Sequence, residues 1–350
     1  MRVAVYAIAL NEKQFVSRWA ESAKDADYLL IADTGSSDRT VELAKELGIN
    51  VISISVNPWR FDVARNAALA SIPLDIDYCI ALDMDEVLCE GWRDALEGLA
   101  EPGITRPRHT FTFSFNADGS PAYQFGGNRI HSRKGYFWKH PIHEVLTPYG
   151  IVEKETWIDV EIQHHPDRTK SRSQYLPLLE QAVKDEPHDA RMAFYYGREL
   201  YYYGKKAEAI AQMESFLSLP SANWRGDRSD ALIITARCSD DPEEAIARVN
   251  RAISEAPDRR EGYVYLSRIM YEQGNYAEAL ASAKKAFDIV ERPLQYMCED
   301  WAWNWEPWDI AAISAYHVGN LEDARMYGRI AVQMDGTNQR LQDNLKYYEE

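Results

Sequence analysis

The 350-residue chain is 46% hydrophobic and 27% charged, with 18 Gly and 15 Pro, which excludes collagen-like, low-complexity and largely disordered proteins. Lys+Arg 39 against Asp+Glu 55 leaves a net charge of -16, which argues against nucleic acid as the main partner, and no apolar run is long enough to span a membrane. The length predicts two domains, and four cysteines without C-x-x-C spacing point to reduced thiols of a cytoplasmic protein, with neither zinc nor a disulfide framework.

The first ~165 residues alternate between strand-like and helix-like segments. Residues 3–10 form an apolar run that ends in Asn11-Glu12 rather than in small residues, so it reads as a strand and not as a leader peptide. Residues 12–25 place Phe15, Val16, Trp19 and Ala23 at helical spacing. A second strand is predicted over 28–32 and a helix over 36–47, stopped by Gly48. Strand 51–56, helix 62–71 and strand 78–82 follow. The alternation implies βαβ units and a mostly parallel sheet with helices on both faces. Ligands of such sheets gather at the carboxyl ends of the strands, where Asn11-Glu12, Asp33 and the Asp83-Met84-Asp85-Glu86 cluster fall.

Past residue 105 the period changes to two. Residues 109–116 and 123–130, joined by Ala117-Asp118-Gly119, predict an antiparallel hairpin added to the sheet. Between Pro102 and His143 six Lys/Arg face one acid, Asp118, so this stretch reads either as a solvated loop or as a basic rim for an anion. Residues 157–162 form the last strand-like run.

From about Ser171 onward a helical repeat begins. Tyr203-Gly204-Lys205-Lys206-Ala207-Glu208-Ala209 aligns with Gln273-Gly274-Asn275-Tyr276-Ala277-Glu278-Ala279 and with Val318-Gly319-Asn320-Leu321-Glu322-Asp323-Ala324. Ala209, Ala245 and Ala279 are spaced 36 and 34 residues apart, and the next step, to Ala324, is 45 and contains an insertion. This pattern resembles tetratricopeptide repeats. The resemblance implies an all-α solenoid over 169–350, of about four helix pairs and a capping helix over 338–348, able to hold a protein partner. In the insertion, from Tyr296 to Trp308, Trp308 takes a repeat packing position. Trp301, Trp303 and Trp305 either pack the domain or form an aromatic platform.

The ordered series Asn11-Glu12, Asp33-Thr34-Gly35-Ser36, Phe61-Asp62-Val63-Ala64-Arg65-Asn66 and Asp83-Met84-Asp85 resembles family-2 glycosyltransferases. The resemblance covers roughly residues 1–165 and implies the GT-A nucleotide-sugar fold over 1–168. It also implies transfer of a sugar, with inversion, from a nucleotide sugar (a UDP-sugar first) to a protein or glycan acceptor. Asp83 and Asp85 are then expected to hold Mn2+ or Mg2+ against the diphosphate leaving group, with Asp85 the more direct ligand. Asn11, Glu12, Asp33, Asp83, Arg65 and Arg129 are expected around the donor. Glu144 is the expected base for the acceptor hydroxyl, with His143 beside it, although the family's acidic pair is here His-Glu. A late histidine, His165 in preference to His164, is expected as a further metal ligand. Residues 79–88 also resemble the D-x-D-x-[TV] signature of haloacid-dehalogenase phosphatases, in which Asp83 would be the nucleophile. A repeat scaffold with an inactive transferase half is the third reading.

Overall fold

The computed structural model describes residues 1–99, 101–116, 118–167, 174–293 and 298–349. The chain separates into two units, Met1–Leu178 and Leu179–Glu350. The boundary expected at 168/169, the onset of the repeat at Ser171 and the Tyr296-Met297 start of the insertion lie outside the described residues.

The first unit opens with β1 (Val3–Ala9), α1 (Val16–Ser22), β2 (Tyr28–Asp33), α2 (Thr40–Glu46), β3 (Asn50–Ser53), α3 (Phe61–Ala70) and β4 (Tyr78–Ala81). It continues through β5 (Glu86–Leu88), α4 (Trp92–Glu97), β6 (Arg106–Phe115), β7 (Pro121–Gly127), β8 (Ile130–Ser132), β9 (Tyr136–Lys139), β10 (Val145–Pro148) and β11 (Glu155–His164). Strands β3-β2-β1-β4 are mutually parallel, and β8 closes that sheet antiparallel to β4. The strand order reverses at β1, so the crevice between the ends of β1 and β4 is a topological switch point.

Because β1 is covered on both faces, its sequence reads as an unbroken apolar run. Val3, Val5, Ala7 and Ala9 pack with Val16 and Trp19 of α1 and Ala44 of α2. Ala4 and Tyr6 face the other way, onto Ala68 and Leu69 of α3 and Trp138 of β9. The expected helices over 12–25 and 36–47 are both shorter at their starts. Residues 36–38 form a loop because the Asn11 side chain accepts from the Ser37 and Asp38 amides, which competes with helix formation.

The expectation of one mostly parallel sheet needs correction. A second sheet, ordered β5-β11-β6-β7, is mixed: β11 runs parallel to β6 but antiparallel to β5, and β6 is antiparallel to β7. The predicted hairpin exists as β6 and β7, but it belongs to this second sheet. The segment 123–130 is not one strand, since the chain leaves β7 at Gly127 and enters the first sheet as β8. Strands β9 and β10 pair as a further two-stranded ribbon that side-chain periodicity did not predict.

Where the first sheet ends, a hydrogen-bond chain is fully buried. Trp138 Nε1 donates to the Tyr6 hydroxyl (2.8 Å), which donates to His131 Nε2 (3.1 Å), while His131 Nδ1 donates to the Ser132 carbonyl (2.8 Å). Burial, aided by Arg106 and Arg133, pushes the His131 pKa down to about 3. The unfolded chain takes up this proton first as pH falls, near an ordinary pKa of ~6.5. The stability contributed by neutral His131 is therefore complete above that value and is lost as pH drops toward 3. The stability gap between the wild type and His131→Gln should narrow below pH 6.5, by up to ~1.4 kcal/mol per pH unit. Urea unfolding at several pH values checks this, and a constant gap would refute it.

Helix α5 (Tyr175–Asp185) contains the division between the units. The second unit contains the helix pairs α6 (Ala190–Tyr202) with α7 (Lys206–Ser218), α8 (Arg225–Cys238) with α9 (Pro242–Glu255), α10 (Arg260–Glu272) with α11 (Tyr276–Phe287), and α12 (Glu306–His317) with α13 (Leu321–Met334). Helix α14 (Gln339–Glu349) follows. The small residues occupy the expected close approaches: Ala279, Ala283, Ala286, Ala324 and Ala331 are buried. A Cβ at Gly328 would stand 2.9 Å from Tyr348, so glycine lets α14 seat against α13. Trp308 stacks flat on Phe287 (3.6 Å, 7°). Trp301 and Trp303 pack with Val264, Ala286 and Ala302, and carry Arg237 (4.4 Å) and Arg260 (4.0 Å) on their faces. Trp301 and Trp303 thus pack within the second unit, and Arg340 stands over Trp305 (5.7 Å). Among the described residues, no helix is long and apolar enough to cross a membrane.

Candidate active site

Two of the places where the chain crosses between the two sheets run side by side. Leaving β4, residues 82–85 turn into β5 of the second sheet, while residues 128–129 return from β7 to β8 of the first. The Ala81 amide donates to the Arg129 carbonyl (3.0 Å), which places the Arg129 side chain over the acidic turn. That turn is held from within, because the Asp83 amide donates to Glu86 Oε2 (2.9 Å) and the Glu86 amide to the Asp83 carbonyl (2.9 Å). From behind, Trp19 Nε1 donates to the Leu82 carbonyl (3.0 Å).

Three carboxylates and two guanidiniums interlock here. Arg65, on α3 and only 4% exposed, donates from Nη2 to Asp83 (2.7 Å) and from Nε to Glu144 (2.5 Å). Arg129 Nη2 bridges Asp83 (3.1 Å) and Glu86 (3.2 Å). Burial alone would raise the Asp83 pKa, but the Arg65 and Arg129 guanidiniums hold it well below the usual carboxylate range. Glu86 is pushed up to about 7 by burial and by the neighbouring Asp83 and Asp85 charges, against the pull of Arg129. Among the described residues the buried Nη1 group of Arg65 has no hydrogen-bond partner, which leaves its N–H donors unsatisfied beside Asp83 and Glu144. The planar fork of Arg suits this job, since it aims separate N–H groups at the two acids at once.

Asp85 lies on the other side of the turn. Its Oδ2 is 3.4 Å from His164 Nε2, and the His164 pKa is raised by Asp85 even though burial works against the charged form. The histidine at this carboxylate is therefore His164 and not the expected His165. The register His164↔Glu86 turns His164 toward the turn, while the His165 ring stacks on Phe115 (5.1 Å, 7°). His165 touches Asp85 only through its backbone, its amide donating to the Asp85 carbonyl (2.8 Å). Sequence alternation established that the two rings diverge, but only strand pairing decides which one faces the turn.

Both oxygens of Asp83 are engaged by guanidinium groups, and the carboxylate and imidazole that stand together are Asp85 and His164. A carboxylate oxygen and an imidazole nitrogen suit Mn2+ or Mg2+ that keeps water and phosphate as its other ligands. This donor pair fits the expected cation.

The remaining expected residues lie at the ends of β1 and β2 or in the β9–β10 turn. Asp33 is 4% exposed and turns its carboxylate onto the Gly35 and Ser36 amides, so it shapes the loop. Gly35 has φ +113°, a conformation that side-chain-bearing residues rarely adopt. Asn11, at φ 58°, binds the amides of residues 37 and 38 through its side chain, and the Glu12 amide donates to Thr40 (2.8 Å). His143 sits at φ 51° with its ring edge-on to Tyr175 (5.9 Å). In the basic stretch after Pro102, Arg106 meets Glu153, Arg108 meets Glu155, and Arg133 donates to the Ile72 carbonyl, so these three are held by internal pairing. Glu86 was not among the expected site residues. Its position directly after the D-x-D was the available signal, but nothing in the sequence indicated that it would be buried.

Residues 231–290 match the tetratricopeptide-repeat family model. Over 312 residues the chain is 25% identical to a tetratricopeptide-repeat-containing protein of Synechococcus elongatus, covering 81% of this chain and 75% of that one. It is also 31% identical over 124 residues to a Rickettsia prowazekii protein described as an uncharacterized glycosyltransferase, which is 35% of this chain and 37% of that one. The match to the Rickettsia protein thus spans about a third of its length. A crystal structure of PilW, described as a type IV pilus biogenesis factor, aligns with a TM-score of 0.41 at 21% identity, covering 51% of this chain and 76% of that one. The second unit therefore carries tetratricopeptide repeats, and part of the chain is similar to proteins described as glycosyltransferases.

Proposed function

We propose that the first unit is a GT-A-type glycosyltransferase that moves a sugar from a nucleoside diphosphate donor, a UDP-sugar first, to a protein or glycan acceptor. The observation that carries this reading is the cluster at the switch point of the parallel sheet: Asp85 with His164 on one side of a turn, and Asp83 clasped by Arg65 and Arg129 on the other. The partial similarity to the Rickettsia proteins supports the same class.

In this mechanism Asp85 and His164 would hold a divalent cation, which when bound would supply positive charge against the diphosphate. Arg65 and Arg129 supply fixed positive charge beside it, and the unsatisfied Arg65 Nη1 is a donor available to a phosphate oxygen. Asn11 and Asp33 hold the loops at the ends of β1 and β2, where the nucleoside binds. Glu144, fixed by its bond to Arg65, receives the proton of the acceptor hydroxyl. The repeat unit offers a surface for a protein acceptor or partner. The phosphatase reading needs a free Asp83 nucleophile and meets one whose two oxygens are bound by arginines.

Thermal-shift titration tests the proposal. UDP or GDP should raise the unfolding temperature only when Mn2+ is present, and Asp85→Asn should abolish that shift. Equal shifts with and without Mn2+ would remove the metal role, and no shift with any nucleotide would remove the class.

A further inference from the structure

Across the end of the second sheet one row of side chains leads away from the acidic turn. Strand pairing sets His164 opposite Glu86, and Gln163 opposite Thr112, so His164 and Phe113 come next in register and share a face. The Phe113 ring stacks on His164 (5.1 Å, 27°), and Tyr123 stands edge-on to Phe113 (5.9 Å, 76°). One row deeper, Leu88, Ile162 and Phe111 are buried, with Phe125 packed against them as part of the core. Phe113 is different, because 44% of it is exposed.

An exposed phenylalanine alone carries no message. This one leans on the same imidazole whose other edge faces Asp85, so it stands one side chain from the proposed diphosphate position. The nucleoside side of that position is the parallel sheet with Asn11 and Asp33. The side toward the second sheet is left for the acceptor.

We infer that Phe113 and Tyr123 form the platform on which a pyranose ring of a glycan acceptor stacks, an inference that rests on the proposed transferase reading. The apolar C–H face of a pyranose matches a flat aromatic ring, while its hydroxyls remain at the rim. Tyr123, only partly exposed, stands edge-on beside the exposed Phe113 ring. An aromatic side chain of a peptide seeks an enclosed apolar pocket, which this strip does not provide.

Saturation-transfer NMR on the full chain, with UDP and Mn2+ present, tests the platform. The probes are methyl β-D-glucopyranoside, methyl β-D-galactopyranoside, methyl N-acetyl-β-D-glucosaminide and, as a peptide-like comparison, N-acetyltyrosinamide. At least one should receive saturation on the C–H protons of a single face. Phe113→Leu, which keeps apolar bulk against His164 but loses the flat ring, should cut the signal about fivefold, and Phe113→Trp should restore it. Nucleotide binding should remain in both variants. No saturation of any pyranoside, an unchanged signal in Phe113→Leu, or saturation of N-acetyltyrosinamide alone would overturn the inference. Failure of the transferase reading gives a different pattern, with pyranoside contact retained but no UDP–Mn2+ binding.

Discussion

Replacing Arg65 with methionine is expected to destabilise the first unit by about 3 kcal/mol, because it strips a buried partner from two carboxylates at once. Asp83 keeps Arg129, but Glu144 loses the guanidinium that holds it in a site with little access to water. Arg65→Lys should recover little, since an ammonium cannot span Asp83 and Glu144 with the fixed geometry of a fork. Adding Glu144→Gln to Arg65→Met should recover part of the loss, because it removes the stranded charge. Native-state hydrogen exchange of amides in β1 and β4 reports this unit without interference from the repeats. Unchanged protection in Arg65→Met would show that the ion pairs contribute nothing to the fold.

The second large effect is expected at Asp85. On the proposed mechanism, Asp85→Ala should lower metal-dependent release of UDP from a donor by about 100- to 1,000-fold, the loss typical of removing charge stabilisation at a leaving group. His164→Ala should raise the Mn2+ concentration needed and slow the reaction about 10- to 100-fold. His165→Ala should do neither, because its ring lies on Phe115. Donor turnover against Mn2+ concentration separates the three variants. If His165→Ala matched His164→Ala, the assignment of the donor pair would fail.

The same histidines show how far side-chain patterning reaches. Period-two alternation placed His164 and His165 on opposite faces of a strand, but alternation has no absolute sign. The strand also ran past its predicted end, to His164, because pairing with β5 extends it. The D-x-D was legible as a strand end, since an apolar run cannot carry consecutive acids into a core and must stop where they begin. That Asp83 would be neutralised by two arginines was not legible. Arg65 is 18 residues from Asp83 in sequence and Arg129 is 46; Arg65 reaches the turn from α3, and Arg129 from the neighbouring sheet crossing. Glu86 was legible as part of the acidic cluster, but its burial was not, because it comes from pairing within the second sheet.

Local chemistry thus determined the alternating α/β pattern, the repeat period and the acidic turn, because each arises from side-chain spacing over a few neighbouring residues. The small residues of the repeats belong to this class too, since the close approach of paired helices demands them wherever the repeat recurs. Only the tertiary structure decided that there are two sheets rather than one, which histidine meets Asp85, and which acids the arginines clasp. Those outcomes depend on strand register and on contacts between segments far apart in the chain, which no local pattern encodes.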